Sequence, residues 1–146
     1  MDSKKFCISL FLMLCLTANA WSQIWSPGYV LIGNDVPKKS FSKGEVKSVF
    51  KGEWTSWNNG ASVVVVLPGS KSPFASEFSK NILGTSVQGM QKFWLSLVFQ
   101  GRANPPVFVD SPQDALQFVK YNKGAIAVVN LPPVEIPSYL ILNVQP

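Results

Sequence analysis

Residues 62–84 read SVVVVLPGSKSPFASEFSKNILG, and this stretch indicates the fold more clearly than any other part of the chain. Four consecutive valines predict a strand over residues 62–67 that is buried on both faces, as in the centre of an α/β sheet. The loop that follows ends in Ser72 and Pro73, which suit the cap and first turn of a helix. Apolar residues at helical spacing then continue that helix: Phe74, Phe78 and Ile82.

The sequence on either side alternates short apolar strands with helices. Ser42 is followed three residues later by Glu45, which is a capping box and predicts that a helix begins there. Ser86 and Ser111 suit the caps of two further helices, and the first of these is expected to bury Met90, Phe93, Trp94, Leu97 and Val98. Further strands are expected at residues 29–32, 107–109, 125–129 and 139–144. This alternation predicts one α/β domain over residues 21–146, with a central mixed sheet flanked by helices.

The first twenty residues have the pattern of a signal peptide. Lys4 and Lys5 precede the apolar run FCISLFLMLCLT at residues 6–17, and Ala18-Asn19-Ala20 is a small-x-small cleavage site. The run is shorter than the ~20 residues that span a bilayer. We therefore expect cleavage after Ala20, a periplasmic or secreted protein, and no membrane span after cleavage. The alternative is an uncleaved N-terminal anchor.

Composition argues against most catalytic chemistries. The chain has no histidine, and its two cysteines, Cys7 and Cys15, lie in the predicted signal peptide. The exported part therefore offers neither the commonest general base nor a thiolate or imidazole ligand for a metal. The acidic residues show no metal-loop spacing. We expect no enzyme activity, no metal site and no cofactor.

The net charge of +5 favours attraction to anions. Arg102 is the only arginine, so the chain lacks the arginine-rich surface of a nucleic-acid-binding protein, and no nucleic-acid partner is expected. Lys43, Lys47 and Lys51 recur at intervals of four and would share one helix face. They could meet an anionic partner, although a solvated helix face explains the same spacing.

Three blocks of sequence together resemble one family. The first runs from KGEVKSVFKG at residues 43–52 through Trp57 and the valine strand to Ile82-Leu83-Gly84. The second comprises Phe93-Trp94, VFQGR at residues 98–102 and Pro105-Pro106, and the third is NKGAI at residues 122–126. Their order and spacing resemble small periplasmic proteins related to the phosphate-binding subunit of ABC importers.

This resemblance implies a type II periplasmic-binding-protein fold, here as a single lobe. Larger members of the family hold a tetrahedral oxyanion with backbone amides and a Ser-Gly-Thr-Arg-like loop at a helix N-terminus. Free N–H groups and the helix dipole make such a terminus attractive to anions. The corresponding loop here is PGSKSPFA at residues 68–75, where Ala75 stands near the expected arginine, Pro73 lacks an N–H, and Ala127 replaces a glycine farther along.

The candidate ligand-binding residues are Ser70, Lys71, Ser72, Arg102 and Asn34. Each also has a structural explanation: Ser72 as a helix cap, Lys71 as a solvated cation, Arg102 as a loop tether, and Asn34 as a turn residue beside Asp35. Trp54 and Trp57 could stack on a ligand, but core burial explains them as well.

The sequence thus predicts an exported, non-enzymatic binding module for a small oxyanion, phosphate or sulfate. The alternative is an accessory protein that keeps the fold, has lost the ligand and docks onto a protein partner in the envelope.

Overall fold

The computed structural model describes residues 28–130 and 135–146. The predicted signal peptide and residues 131–134 of the proline-rich connection lie outside the described residues.

Six strands form one mixed sheet in the order β2-β6-β1-β5-β3-β4. The strands are β1 Tyr29–Gly33, β2 Ser40–Ser42, β3 Val64–Pro68, β4 Val107–Val109, β5 Ala125–Asn130 and β6 Ile141–Gln145. β1 is antiparallel to both of its neighbours, while the β2–β6, β3–β4 and β3–β5 pairs are parallel. All strands except β1 therefore run in one direction, so the sheet has a common carboxyl end and a common amino end.

Helices cover both faces of this sheet. They are α1 Lys43–Phe50, α2 Ala75–Phe78 with a π-helical continuation Ser79–Leu83, α3 Val87–Phe99, α4 Pro112–Tyr121 and a 3-10 turn Ser138–Leu140. The predicted α/β class, a central mixed sheet flanked by helices, is confirmed.

Alternate residues of the central strands supply two separate cores. Ile126 and Val128 of β5 join α1, α2 and α3 in the larger core. Ala125, Ala127 and Val129 join α4 on the other face. Five consecutive residues of β5 are consequently buried, as expected for a strand covered on both faces.

The valine strand is an interior strand, but it is displaced from the middle of the sheet. β3 lies between β5 and the edge strand β4, and it begins at Val64 instead of Ser62, which forms an isolated bridge with Ser56. Val65 is 4% exposed, while Val64 is half-buried. The predicted burial is therefore confirmed from Val65 onward.

Three predicted helix starts are confirmed by their caps. Ser42 Oγ accepts from the Glu45 N–H at 3.2 Å, and the Ser42 N–H donates to Glu45 Oε2 at 2.9 Å, which completes the capping box. Ser86 Oγ accepts from the Gly89 N–H and Ser111 Oγ from the Asp114 N–H. These caps satisfy N–H groups that the helices cannot pair internally.

Three local predictions need correction. Helix α2 begins at Ala75 and its cap position is Phe74, so Ser72 is not the N-cap. Tyr139 lies in the 3-10 turn, and β6 begins at Ile141. Phe93 is 39% exposed because it lines a cavity, and Val98 is half-buried; Met90, Trp94 and Leu97 are buried as predicted.

Candidate functional site

The loop at residues 69–74, here called the β3 loop, leaves the carboxyl end of β3. The Gly69 N–H donates to Val109 O at 2.7 Å, and the Ser72 N–H donates to Gly69 O at 2.9 Å. The first bond ties the loop to β4 and the second closes it into a turn. Ligands of open α/β sheets bind outside the carboxyl ends of the strands, which is where this loop lies.

The three polar residues of the β3 loop have different environments. Ser72 is 7% exposed, and its Oγ accepts from the Phe74 N–H at 3.3 Å. This short turn within the loop, together with the bond from the Ala75 N–H to Ser72 O, explains why the helix starts late. Ser70 and Lys71 are exposed. Their hydroxyl and ammonium are the loop groups that a ligand can reach.

Two carboxylates lie close to this loop. A Cβ atom built on Gly69 would lie 2.5 Å from Asp110 Oδ1, so that carboxylate sits against the loop backbone. Tyr29 stacks on Phe74 with ring centroids 5.0 Å apart, and burial followed by the Glu77 carboxylate raises the pKa of Tyr29 to about 12. Both negative groups oppose a bound anion, so the single ammonium of Lys71 gives only a modest net attraction.

Asn34 lies at the opposite end of the sheet. Its Nδ2 donates to Lys120 O at 3.0 Å, its backbone N–H donates to Ala125 O, and its carbonyl accepts from the Gly124 N–H. These bonds close the amino end of β5. Asp35 beside it adopts a φ of 54°, which is typical of an aspartate in a turn. The structure therefore does not bring Asn34 to the β3 loop.

Arg102 lies in a third place, in the loop that leads into the amino end of β4. It lines a cavity of about 660 Å³ together with Lys51, Phe93 and Leu97. Its Nη1 makes a long contact of 3.5 Å with Gln100 Oε1. The five candidate residues are thus spread over three regions, and only Ser70, Lys71 and Ser72 adjoin one another.

The two tryptophans belong to the core. Trp57 is buried and its Nε1 donates to Gly124 O at 3.0 Å. Trp54 is half-buried and packs against Phe41 and Trp57. The interpretation of core burial is confirmed for this pair.

Neither the lysines of α1 nor the acidic residues of the described part of the chain form an evident binding site for an anion or a metal ion. Lys43, Lys47 and Lys51 are half-buried at their helix surface, and Lys38 forms an ion pair with Glu45. Within residues 28–130 and 135–146, no group of three or more His, Cys, Asp or Glu side chains could hold a metal ion. In the same ranges, no helix has the length and apolar character needed to cross a bilayer.

Sequence reasoning missed the cavity beside Arg102. The VFQGR block singled out Arg102, but nothing in the sequence places Lys51 and Phe93 next to it. The position of Phe93 at the border of the apolar stripe of α3 could have indicated that its ring is accessible.

The solved structures that share the fold include the following three. An ABC-type phosphate transport receptor from Vibrio cholerae is 16% identical over 81% of this chain and 46% of its own, with a TM-score of 0.56. A substrate-binding protein from Clostridium perfringens, assigned to a phosphate ABC transporter and solved with bound phosphate, is 20% identical over 74% and 41%, with a TM-score of 0.55. PstS from Borrelia burgdorferi is 13% identical over 81% and 47%, with a TM-score of 0.59.

The chain spans less than half the length of each of these three proteins, and the low identities make the likeness evidence for the fold alone. No curated protein matches the sequence significantly. A sequence model described as the PBP superfamily domain matches residues 21–136. By that match, which covers most of its length, the chain belongs to the PBP superfamily domain family.

Proposed function

We propose that this protein is an exported, non-catalytic binding protein that holds a small oxyanion, phosphate or sulfate, weakly at the β3 loop. The observation that carries the proposal is the exposure of Ser70 and Lys71 at the carboxyl end of β3, in the loop that leads to α2. The three structural relatives bear names or titles of phosphate transport proteins, which supports an oxyanion as the ligand.

The chemistry of the loop sets a weak affinity. Ala75 offers no guanidinium for a bidentate clamp, and Pro73 offers no N–H. The Ser72 hydroxyl already accepts from Phe74, and Asp110 lies beside the loop. An oxyanion would be held in open solvent by the Ser70 hydroxyl, the Lys71 ammonium and those loop N–H groups that do not already donate within the protein. We expect a dissociation constant on the order of 1 mM, about 4 kcal/mol of binding free energy, which weakens with added salt.

Isothermal titration with phosphate and with sulfate at low ionic strength tests this proposal. The variant Ser70→Ala/Lys71→Gln should lose at least about 80% of the affinity, because it removes the two accessible side-chain groups. The matched control Ser76→Ala/Lys80→Gln makes the same changes at exposed residues of the helical segment that follows the loop, and it should bind like the wild type. Equal losses of affinity in both variants would show that the effect comes from the change in net charge, and would contradict a binding site at the β3 loop.

Export is the second part of the proposal and rests on the signal-peptide pattern of residues 1–20. The intact mass of the protein recovered from the periplasm or medium should correspond to a chain that starts at Trp21. A mass that retains residues 1–20 would instead favour a membrane anchor.

A second candidate is an accessory protein of an envelope assembly. It is favoured by the exposed apolar side chains of α3 and β4: Phe99 is 82% exposed, Leu95 58% and Phe108 43%. Exposed apolar side chains close together are typical of interaction surfaces. An absence of binding to either anion, combined with specific capture of one envelope protein that Phe99→Ser abolishes, would decide for this candidate.

A further inference from the structure

A second concave site lies in the helical layer, away from the β3 loop. This cavity of about 660 Å³, here called the α1–α3 pocket, is formed by the end of α1, the residues after α2 and the side of α3. Its lining includes Lys51, Leu83, Thr85, Phe93, Leu97 and Arg102. The volume falls within the range of small-molecule sites in proteins.

The floor of the α1–α3 pocket is apolar. Phe93 and Leu97 follow one another at one helical turn on α3, and Leu83 faces them from the end of the π-helical segment. Phe93 is 39% exposed, whereas its neighbour Trp94 is 2% exposed. Gly89, one turn before Phe93, also lines the pocket. The pocket therefore contains one accessible aromatic ring, that of Phe93, beside the apolar side chains of Leu97 and Leu83.

The walls of the pocket are held in place by close packing. Gly52 ends α1 with a φ of 72°, and a Cβ atom there would lie only 3.0 Å from Trp94 and 3.2 Å from Leu97. On the other side, a Cβ atom at Gly89 would collide with Thr85 Oγ1. The end of α1 thus packs closely on α3 at Gly52, and Thr85 packs closely against Gly89 of α3.

The rim of the pocket carries more positive than negative charge. Lys51 and Arg102 line it together with one acid, Glu53. Among the residues that the structure describes, the ion pair within 4.0 Å is Lys38–Glu45, so Glu53 does not contact either of these cations at that distance. In the part of the chain that the structure describes, the side-chain hydrogen bond of Arg102 is the long one to Gln100, which leaves other guanidinium donors for a ligand.

We propose that the α1–α3 pocket binds a small amphipathic carboxylate. The apolar body lies on Phe93, Leu97 and Leu83, and the carboxylate pairs with Arg102 and Lys51 at the rim. A guanidinium is well suited to bidentate pairing with a carboxylate. One net positive charge on the lining matches a monoanion, while Glu53 disfavours a dianion such as phosphate. This site is independent of the oxyanion proposal.

Titration with octanoate, followed by amide chemical shifts in NMR spectra below the micellar range, tests the inference. Octanamide keeps the apolar chain without the charge, and acetate keeps the charge without the chain. Octanoate should bind at least about tenfold more tightly than either, because each lacks one of the two contacts. The shifts should centre on α3 and the end of α1. Equal binding of octanoate and octanamide would overturn the proposed role of the cations.

Two pairs of variants locate the site. Lys51→Gln/Arg102→Gln should weaken octanoate binding about tenfold, while Lys47→Gln/Lys92→Gln, which removes the same charge outside the pocket, should leave it unchanged. Phe93→Ser should weaken it severalfold, and Phe99→Ser should not, although Phe99 is the more exposed ring. Similar losses in a variant and its control would contradict the pocket as the site.

The variant Ser70→Ala/Lys71→Gln separates the two proposals. It should weaken phosphate binding at the β3 loop at least about fivefold and leave octanoate binding intact. Competition between phosphate and octanoate, or no octanoate binding by the folded wild-type protein, would overturn the inference without touching the oxyanion site.

Discussion

The two ends of the parallel strands are closed in different ways. At the amino end, Gly124 donates to Asn34 O, while its own carbonyl accepts from the Val64 N–H and from Trp57 Nε1. At the carboxyl end, the β3 loop uses its backbone and Ser72 to close a turn and leaves Ser70 and Lys71 facing solvent. Polar groups at the first end therefore serve the fold, and some at the second end are available to a ligand.

Polar residues at strand ends therefore differ in whether a ligand can reach them. Asn34 and Ser70 both follow a strand in sequence, so both were reasonable candidates for a binding site. The direction of β1 separates them, because its carboxyl end meets the amino ends of the other strands. Strand direction, more than residue type, determines which of the two can line a site.

The largest expected effect comes from adding one methyl group at the amino end. A Cβ atom on Gly124 would lie 2.2 Å from Ser62 O, and its φ of 79° is unfavourable for other residues. Gly124→Ala should lower the free energy of unfolding by about 3 kcal/mol, measured by urea denaturation.

The matched change at the carboxyl end is Gly69→Ala. There the Cβ atom would meet Asp110 Oδ1, which belongs to an exposed side chain that can rotate away. We expect a loss of about 1 kcal/mol, since the backbone of Gly69 needs no positive φ. Equal losses at the two glycines would contradict the distinction between a closed and an open end.

The next effect distinguishes two serines of the same loop. Ser72→Ala should cost about 1.5 kcal/mol, because it leaves the buried Phe74 N–H without its acceptor. Ser70→Ala should change stability by less than about 0.5 kcal/mol and weaken phosphate binding instead. Thermal melts and titrations of both variants check this separation of roles, and a reversed pattern would exchange the two assignments.

Asn34→Ala is expected to have a smaller effect. Its side chain donates one exposed hydrogen bond, to Lys120 O, so we expect a loss of about 0.5 kcal/mol in unfolding experiments. Phosphate titration of this variant should match the wild type. A weakened phosphate affinity in a fully folded Asn34→Ala protein would show that the amino end takes part in binding after all.

The smallest effect concerns Glu45, in the first turn of α1 after β2. Its hydrogen bond from Lys38 and then the Ser42 N–H lower its pKa in the folded protein. The stabilisation is therefore present at neutral pH and is lost as the pH falls through the folded pKa. Glu45→Gln keeps an acceptor for Ser42 but removes the charge. Its melting temperature should lie slightly below that of the wild type at pH 7, and the gap should close in acid.

Local signals in the sequence were sufficient for much of the fold. The Ser42–Glu45 capping box and the Ser111-Pro112 start depend on neighbours within one turn, and both were predicted at the right residue. Ser72-Pro73 has the same local pattern, yet the helix begins at Ala75. The difference arises because the Gly69 N–H donates to Val109 of β4 and the Ser72 N–H donates to Gly69 O. The Ser72 backbone therefore forms a turn with Gly69 and does not start the helix.

The site was harder to predict because it depends on contacts between distant segments. Phe93 is exposed in a cavity that segments distant in sequence form together, which helical periodicity cannot reveal. The proximity of Arg102 to Lys51 and the separation of Arg102 from Ser70 both require the strand order. A stretch of sequence can therefore identify candidate binding residues, but the sheet topology determines which of them lie close together.

The place of β1 also bears on how the chain folds. β1 pairs with β5 and β6, which come about a hundred residues later in the sequence. Tyr29 can therefore pair with Asn130, and Leu31 with Leu142, only after those two strands have been made. Pairing over such sequence distances slows folding. The β3–β4 pair can form earlier, but the sheet stays divided until β1 inserts between its two late partners. The complete sheet can therefore form only after residues 125–145 have been made, and β1, although it is synthesised first, has no pairing partner until then.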